Sequence, residues 1–253
     1  IAADGTLNLY KGTKIINTQT TEDGGAIYNN GGKFNMYGGV IENNITLRNG
    51  GGLYNNGGIV NITGGIITGN TAQNGGGIYF NGAFAEVNIE EVTISANNTT
   101  IGSGGGIYNN NSTVYFKSGT IEENSAYLYG GGLYNSGTFD FSGGKLEGNN
   151  VDNLKGSAIY QNGVLNMSAD ALVESDNSIY LVTGKTVTNT GKLLRSGVAA
   201  HLFPQNFTVG ANVLSGDYTA VNYANFVADP QDGETLYINS SGNLVDRESA
   251  NVC

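Results

Sequence analysis

Of the 253 residues, few have side chains suited to catalysis, and the ones that recur do so in columns. Glu42, Thr68, Ser95, Glu122, Glu147 and Glu174 each follow an aliphatic residue at the same point of a repeated phrase. Stacked on successive turns, Glu122, Glu147 and Glu174 would be neighbours. A glycoside hydrolase needs two carboxylates about 5–10 Å apart in a cleft, and a lyase needs a Lys or Arg base beside acids that hold Ca²⁺. The three glutamates are accordingly weak candidates for an acid/base pair or a metal site. The plainer reading is a solvated outward row, and two features favour it. Lys117 and Lys145 sit elsewhere in the repeat, and no long loop interrupts the period to build a special place for chemistry.

A second column is aromatic. Tyr28, Tyr54, Tyr79, Tyr108, Tyr134 and Tyr160 each follow an Ile or Leu, flanked by Gly, Ala or Asn. If the aliphatic residue points inward, strand alternation turns the ring outward. An exposed ladder of rings beside a glycine trough offers flat faces with hydroxyl handles, suited to a glycan or a partner protein surface. The competing reading is ring-on-ring packing that clips turns together at about 0.2–1 kcal/mol per pair. His201 is the single histidine and Cys253, the final residue, the single cysteine. Neither a disulfide framework nor a Cys/His metal cluster is therefore expected, no cofactor is expected, and Cys253 reads as a tail residue.

Both columns hang on one rhythm. From tyrosine to tyrosine, ending at Tyr180, the steps are 26, 25, 29, 26, 26 and 20 residues. An apolar-polar-apolar triplet (Phe34-Asn35-Met36, Val60-Asn61-Ile62, Phe139-Asp140-Phe141) keeps the same period. So does an aliphatic-x-x-Asn phrase: Ile41 with Asn44, Ile67 with Asn70, Ile94 with Asn97, Ile121 with Asn124, Leu146 with Asn149, and Val173 with Asp176. Three strand-like phrases in about 26 residues predict one turn of a parallel β-helix, with interior stacks of Ile27, Leu53, Ile78, Ile107, Leu133, Ile159 and Ile179. The asparagines would bond to one another along the stack. Asn30-Gly31, Asn56-Gly57, Asn81-Gly82 and Asn162-Gly163 favour antiparallel hairpins instead, but hairpins do not explain why the third phrase keeps register with the other two.

The rhythm loosens after Tyr180, and both prolines, Pro204 and Pro230, lie beyond it. This predicts β-helix repeats over 1–184 and a capping β segment over 185–253, with a closing hairpin at 235–245. No comparable cap precedes the first repeat, so the chain reads as a piece of a longer secreted protein, monomeric or self-associating end to end. The net charge of −10 argues against nucleic acid as a partner. No apolar run approaches the roughly 18 residues of a membrane span, so no membrane insertion is expected.

The quartet Gly24-Gly25-Ala26-Ile27, its Gly-Gly-Gly-Ile/Leu variants at 50–53, 75–78, 104–107 and 130–133, and the aliphatic-x-x-Asn phrase resemble the repeats of chlamydial-type polymorphic outer-membrane proteins and related adhesin-like bacterial surface proteins. Those families pair Gly-Gly-Ala-Ile with Phe-x-x-Asn; here Ile, Leu or Val stands in place of Phe. Over residues 20–180 the resemblance implies a right-handed, pectate-lyase-like β-helix serving as an extracellular stalk or adhesive surface of a bacterial cell, binding a glycan or a surface protein and not catalytic. The alternative is a polysaccharide lyase or glycoside hydrolase using the acidic column.

Overall fold

The computed structural model describes residues 1–83, 86–152 and 155–249; Cys253 lies outside them. The chain winds into a right-handed parallel β-solenoid of about eight turns, each of about 26 residues, with almost no helix. Among the described residues four parallel sheets of nine, seven, six and nine strands run its length. The triplets form one, from Thr6–Leu9 through Thr113–Phe116 to Leu214–Ser215. The aliphatic residues before the asparagines form the glutamate-bearing sheet, from Lys14–Ile16 to Leu172–Val173. The tyrosine phrases form the third, from Ile27–Asn30 to Phe226–Ala228.

The fourth sheet was not anticipated. Two-residue strands such as Ile45–Thr46, Thr71–Ala72 and Ser125–Ala126 follow the asparagine corner. They are too short for alternation to show, and their inward residues are small. The Asn-Gly pairs do not make hairpins: every strand pair within these four sheets is parallel, and Asn56-Gly57 merely turns the chain from the tyrosine sheet into the triplet sheet. Parallel pairing also continues past residue 184, with Val187–Leu193, Ala200–Pro204, Leu214–Ser215 and Phe226–Ala228 extending two of the sheets. One antiparallel hairpin, Tyr237–Ile238 with Leu244–Val245, follows within 235–245.

The core is a set of columns. Ile27, Leu53, Ile78, Ile107, Leu133, Ile159 and Ile179 are buried and paired in register from turn to turn. Phe34, Val60, Val87, Val114, Phe139 and Leu165 face them from the triplet sheet. Complete burial of one such side chain contributes about 1.5–3 kcal/mol.

Polar groups inside the solenoid stack in the same way. At the corner, Asn44 donates through Nδ2 to Asn70 Oδ1 (2.9 Å), and the pattern repeats through Asn97, Asn124 and Asn149. Each Nδ2 also donates to a backbone carbonyl one turn back, as Asn97 does to Ile67, and each Oδ1 also accepts a backbone N–H, from Thr18 at Asn44 and from the preceding asparagine in the later turns. Every polar atom of these buried amides is thereby paired, which is what burial of an amide requires. The sixth member departs from the sequence expectation: Asn177, not Asp176, accepts from Asn149, while Asp176 accepts the backbone N–H of Gly148 at the surface. The corner after Val173 is one residue longer, which shifts the column by one.

Candidate functional site

The tyrosine sheet owes its close turns to the glycines ahead of each ring. At Gly76 and Gly105 an added Cβ would lie 2.5 and 2.4 Å from the carbonyl oxygens of Asn98 and Ser125, so no side chain fits. These glycines are buried. They serve chain packing and do not form the open trough that the sequence suggested.

The rings stand on the outer face, as alternation requires, and stack in one continuous series. Centroid separations are 5.3 Å for Tyr28–Tyr54, 5.2 Å for Tyr54–Tyr79, 4.7 Å for Tyr79–Tyr108, 4.4 Å for Tyr108–Tyr134 and 5.3 Å for Tyr134–Tyr160. Tyr180 and Phe203 prolong it. Tyr28 is 41% exposed, Tyr54 only 9%, and Tyr79, Tyr108, Tyr134 and Tyr160 lie between. What solvent meets is thus a stripe of ring edges and hydroxyls, with the ring faces turned against one another. Burial, followed by the charge of neighbouring phenols, pushes the hydroxyl of Tyr79 and that of Tyr160 up to about 12 and raises that of Tyr108 further. The hydroxyls of Tyr79, Tyr108 and Tyr160 are therefore neutral donors and acceptors at physiological pH. Lys155 Nζ lies 5.7 Å from the ring centroids of both Tyr129 and Tyr180, adding a cation at one end.

Beside the stripe runs an outward amide ladder. Asn56 donates to Asn30, Asn81 to Asn56 and Asn110 to Asn81, at 2.8–2.9 Å. Inward, between the rings' own strands, lies a column that sequence reasoning missed: Asn29, Asn55, Asn109, Asn135 and Gln161, fully buried, with Phe80 interrupting it. The residue two places after each core Ile or Leu must share its face, so the signal was present in the repeated Ile/Leu-Tyr-Asn. Two of its atoms, Asn29 Oδ1 and Gln161 Nε2, are buried without a partner.

The acidic column is in register as expected. Glu42, Thr68, Ser95, Glu122 and Glu147 pair strand to strand, and the backbone of Glu174 continues the row. The expectation that no base accompanies it is corrected. Lys145 stands two residues before Glu147, on the same outer face, and its Nζ lies 2.6 Å from Glu147 Oε1. Burial, together with the charges of Glu147 and Glu123, raises the carboxyl of Glu122 above its ordinary value, and the hydrogen bond to Glu147 raises the ammonium of Lys145. Among the described residues no group of three or more His, Cys, Asp or Glu side chains converges as a metal site, Glu122, Glu147 and Glu174 included. His201 Nδ1 is 2.8 Å from Oδ1 of Asp229, which immediately follows the neighbouring strand.

Among the described residues no helix is long and apolar enough to cross a membrane. Compared with protein-family models, with curated proteins and with solved structures, the chain matches none.

Proposed function

We propose that this β-helix is a non-catalytic, adhesin-like or stalk module of a bacterial cell surface, holding a rigid face outward to meet a glycan or a partner protein. The observation that carries the reading is the unbroken stripe of stacked tyrosines. Its rings are fixed by their neighbours, so their hydroxyls and edges are presented at a regular spacing of about one strand separation, roughly 4.8 Å. A ligand engaging them meets groups that lose little further freedom. The repeat phrases, which resemble those of adhesin-like surface proteins, support the extracellular setting. A glycan and polysaccharide array with the wild type and a Tyr108→Ala/Tyr134→Ala variant, both verified as folded by far-UV circular dichroism, tests it. Binding lost in the variant supports a tyrosine-face ligand. Binding retained in full moves recognition elsewhere on the surface.

One observation favours a second reading. Lys145 beside Glu122, Glu147 and Glu174 places an ammonium among carboxylates, one of which, Glu122, is harder to ionise than an ordinary carboxyl, the raw material of acid/base chemistry on a polysaccharide. Depolymerisation of a polysaccharide by the purified protein, abolished in Glu122→Gln/Glu147→Gln, would establish an enzyme in place of an adhesin.

A further inference from the structure

The corner that joins the tyrosine sheet to the triplet sheet changes length from turn to turn. Between paired positions it holds five residues after Phe80, three after Asn109, two after Asn135, two after Gln161 and four after Leu181. The two shortest corners, Ser136-Gly137 and Asn162-Gly163, are therefore recessed between longer ones. The result is a saddle-shaped groove of about 540 Å³ across successive turns. Its floor is nearly bare backbone: a Cβ on Gly137 or Gly163 would lie 2.3 Å or 2.1 Å from a carbonyl oxygen of the turn before.

Some polar side chains lining the groove are bonded within the chain, Asn81 in the amide ladder and Ser112 and Ser136 to the carbonyls of Gly82 and Asn109, and others are not. Asn30, Asn56, Asn81 and Asn110 bond their amides to one another. Asn111, Thr113, Thr138, Asn162 and Lys185 line the groove. Among the described residues none of their side chains makes a hydrogen bond or ion pair within the chain. On a protein of net charge −10, Lys185 is the one cation among the described groove-lining residues, and it also borders the adjoining cavity of about 230 Å³ under the 182–186 corner. Amides and hydroxyls free to bond, over a flat glycine floor and beside one unpaired ammonium, match a ligand that is rich in hydroxyls and carries a carboxylate.

We infer that this groove is a binding site for an acidic oligosaccharide, its uronate-type carboxylate held by Lys185 and its hydroxyls by Asn111, Thr138 and Asn162. The site lies on a different edge from the tyrosine stripe and stands or falls independently of it.

Titration calorimetry with a purified oligogalacturonide, and with its neutral methyl-esterified counterpart, tests the assignment on the whole chain. The acid form binds the wild type more tightly than the ester, and more weakly as salt rises. Lys185→Gln lowers affinity for the acid about tenfold, as loss of a charged hydrogen bond should, and leaves the ester unchanged. Lys33→Gln, at an exposed lysine outside the groove lining, changes neither. Absence of binding by the folded wild type overturns the inference. Binding of the acid that Lys185→Gln leaves intact, or that Lys33→Gln weakens equally, overturns it as well.

Discussion

Asn97 offers the sharpest test of what holds the solenoid together. Its side chain is completely buried. Its Oδ1 accepts from the backbone N–H (3.0 Å) and the Nδ2 (2.9 Å) of Asn70, and its Nδ2 donates to Ile67 O (3.0 Å) and Asn124 Oδ1 (2.9 Å). Replacement by alanine deletes these four bonds at a net cost of about 1 kcal/mol each, and leaves the buried backbone N–H of Asn70 without its acceptor. The expected loss is about 4–6 kcal/mol, well beyond the ordinary point substitution at about 1 kcal/mol. Asn56→Ala removes two ladder bonds at the surface, where water replaces them, and should cost about 1 kcal/mol or less. Urea unfolding followed by circular dichroism separates the two. Asn97→Asp sharpens the test, because its carboxylate would face the oxygens of Ile67 and Asn124. Burial and that repulsion raise its folded pKa above the unfolded value, so its stability is best at low pH and is lost as pH rises through the folded pKa. The variant should regain part of its deficit between pH 7 and pH 4, measured against wild type at each pH. An Asn97→Ala cost no larger than that of Asn56→Ala would refute the claim that the buried ladder, and not the surface one, carries the energy.

Three further outcomes follow from the geometry. Ala96 and Glu123 hold left-handed backbone, φ 51° and 54°, at the corner where Gly69 and Gly148 stand in other turns; Ala96→Gly should raise stability by about 0.5–1 kcal/mol, measured by chemical denaturation. Glu122 is harder to ionise folded than unfolded, so its charge costs stability above its folded pKa and nothing well below its ordinary value of 4.5. Glu122→Gln should therefore be the more stable protein at pH 7, by less than about 1 kcal/mol, with the gap closing at pH 3. With Tyr79 and Tyr160 pushed up to about 12 from 10.0, the unfolded chain loses these protons first. Stability should fall as pH rises above about 10, and tyrosinate absorbance should lag behind that of the urea-unfolded chain.

The period made the architecture legible because three kinds of residue kept it at once, and no hairpin array demands that. The core column from Ile27 to Ile179 was readable for the same reason. Where the reading failed, the physics was local. Two-residue strands such as Ile45–Thr46 leave no alternation to detect. The inward Asn29 column was passed over because an amide reads as a surface residue until its partners one turn away are known. Spacing alone points to Asp176 and not Asn177, because a single extra residue in a corner is invisible without the pairing. Lys145 sits out of register with Glu122 in the repeat, yet a strand puts residues two apart on one face, and this brings it beside Glu147. The tyrosine column was located correctly, but how far each ring covers the next depends on three-dimensional tilt. The groove over Gly137 and Gly163 was hidden in corner lengths that matter only once the turns are stacked.

The two unpartnered atoms in the buried amide column have a simple origin. Each member donates forward, Asn29 to Asn55 and Asn109 through Asn135 to Gln161, so the column is a chain of arrows. In this column the first acceptor and the last donor, Asn29 Oδ1 and Gln161 Nε2, are the atoms left over. Where Phe80 cuts the column, the loose ends are mended on the spot, Asn55 Nδ2 by Gly58 O and Asn109 Oδ1 by Ser112 N. A whole turn can thus be inserted or deleted within a run of arrows without stranding a polar atom.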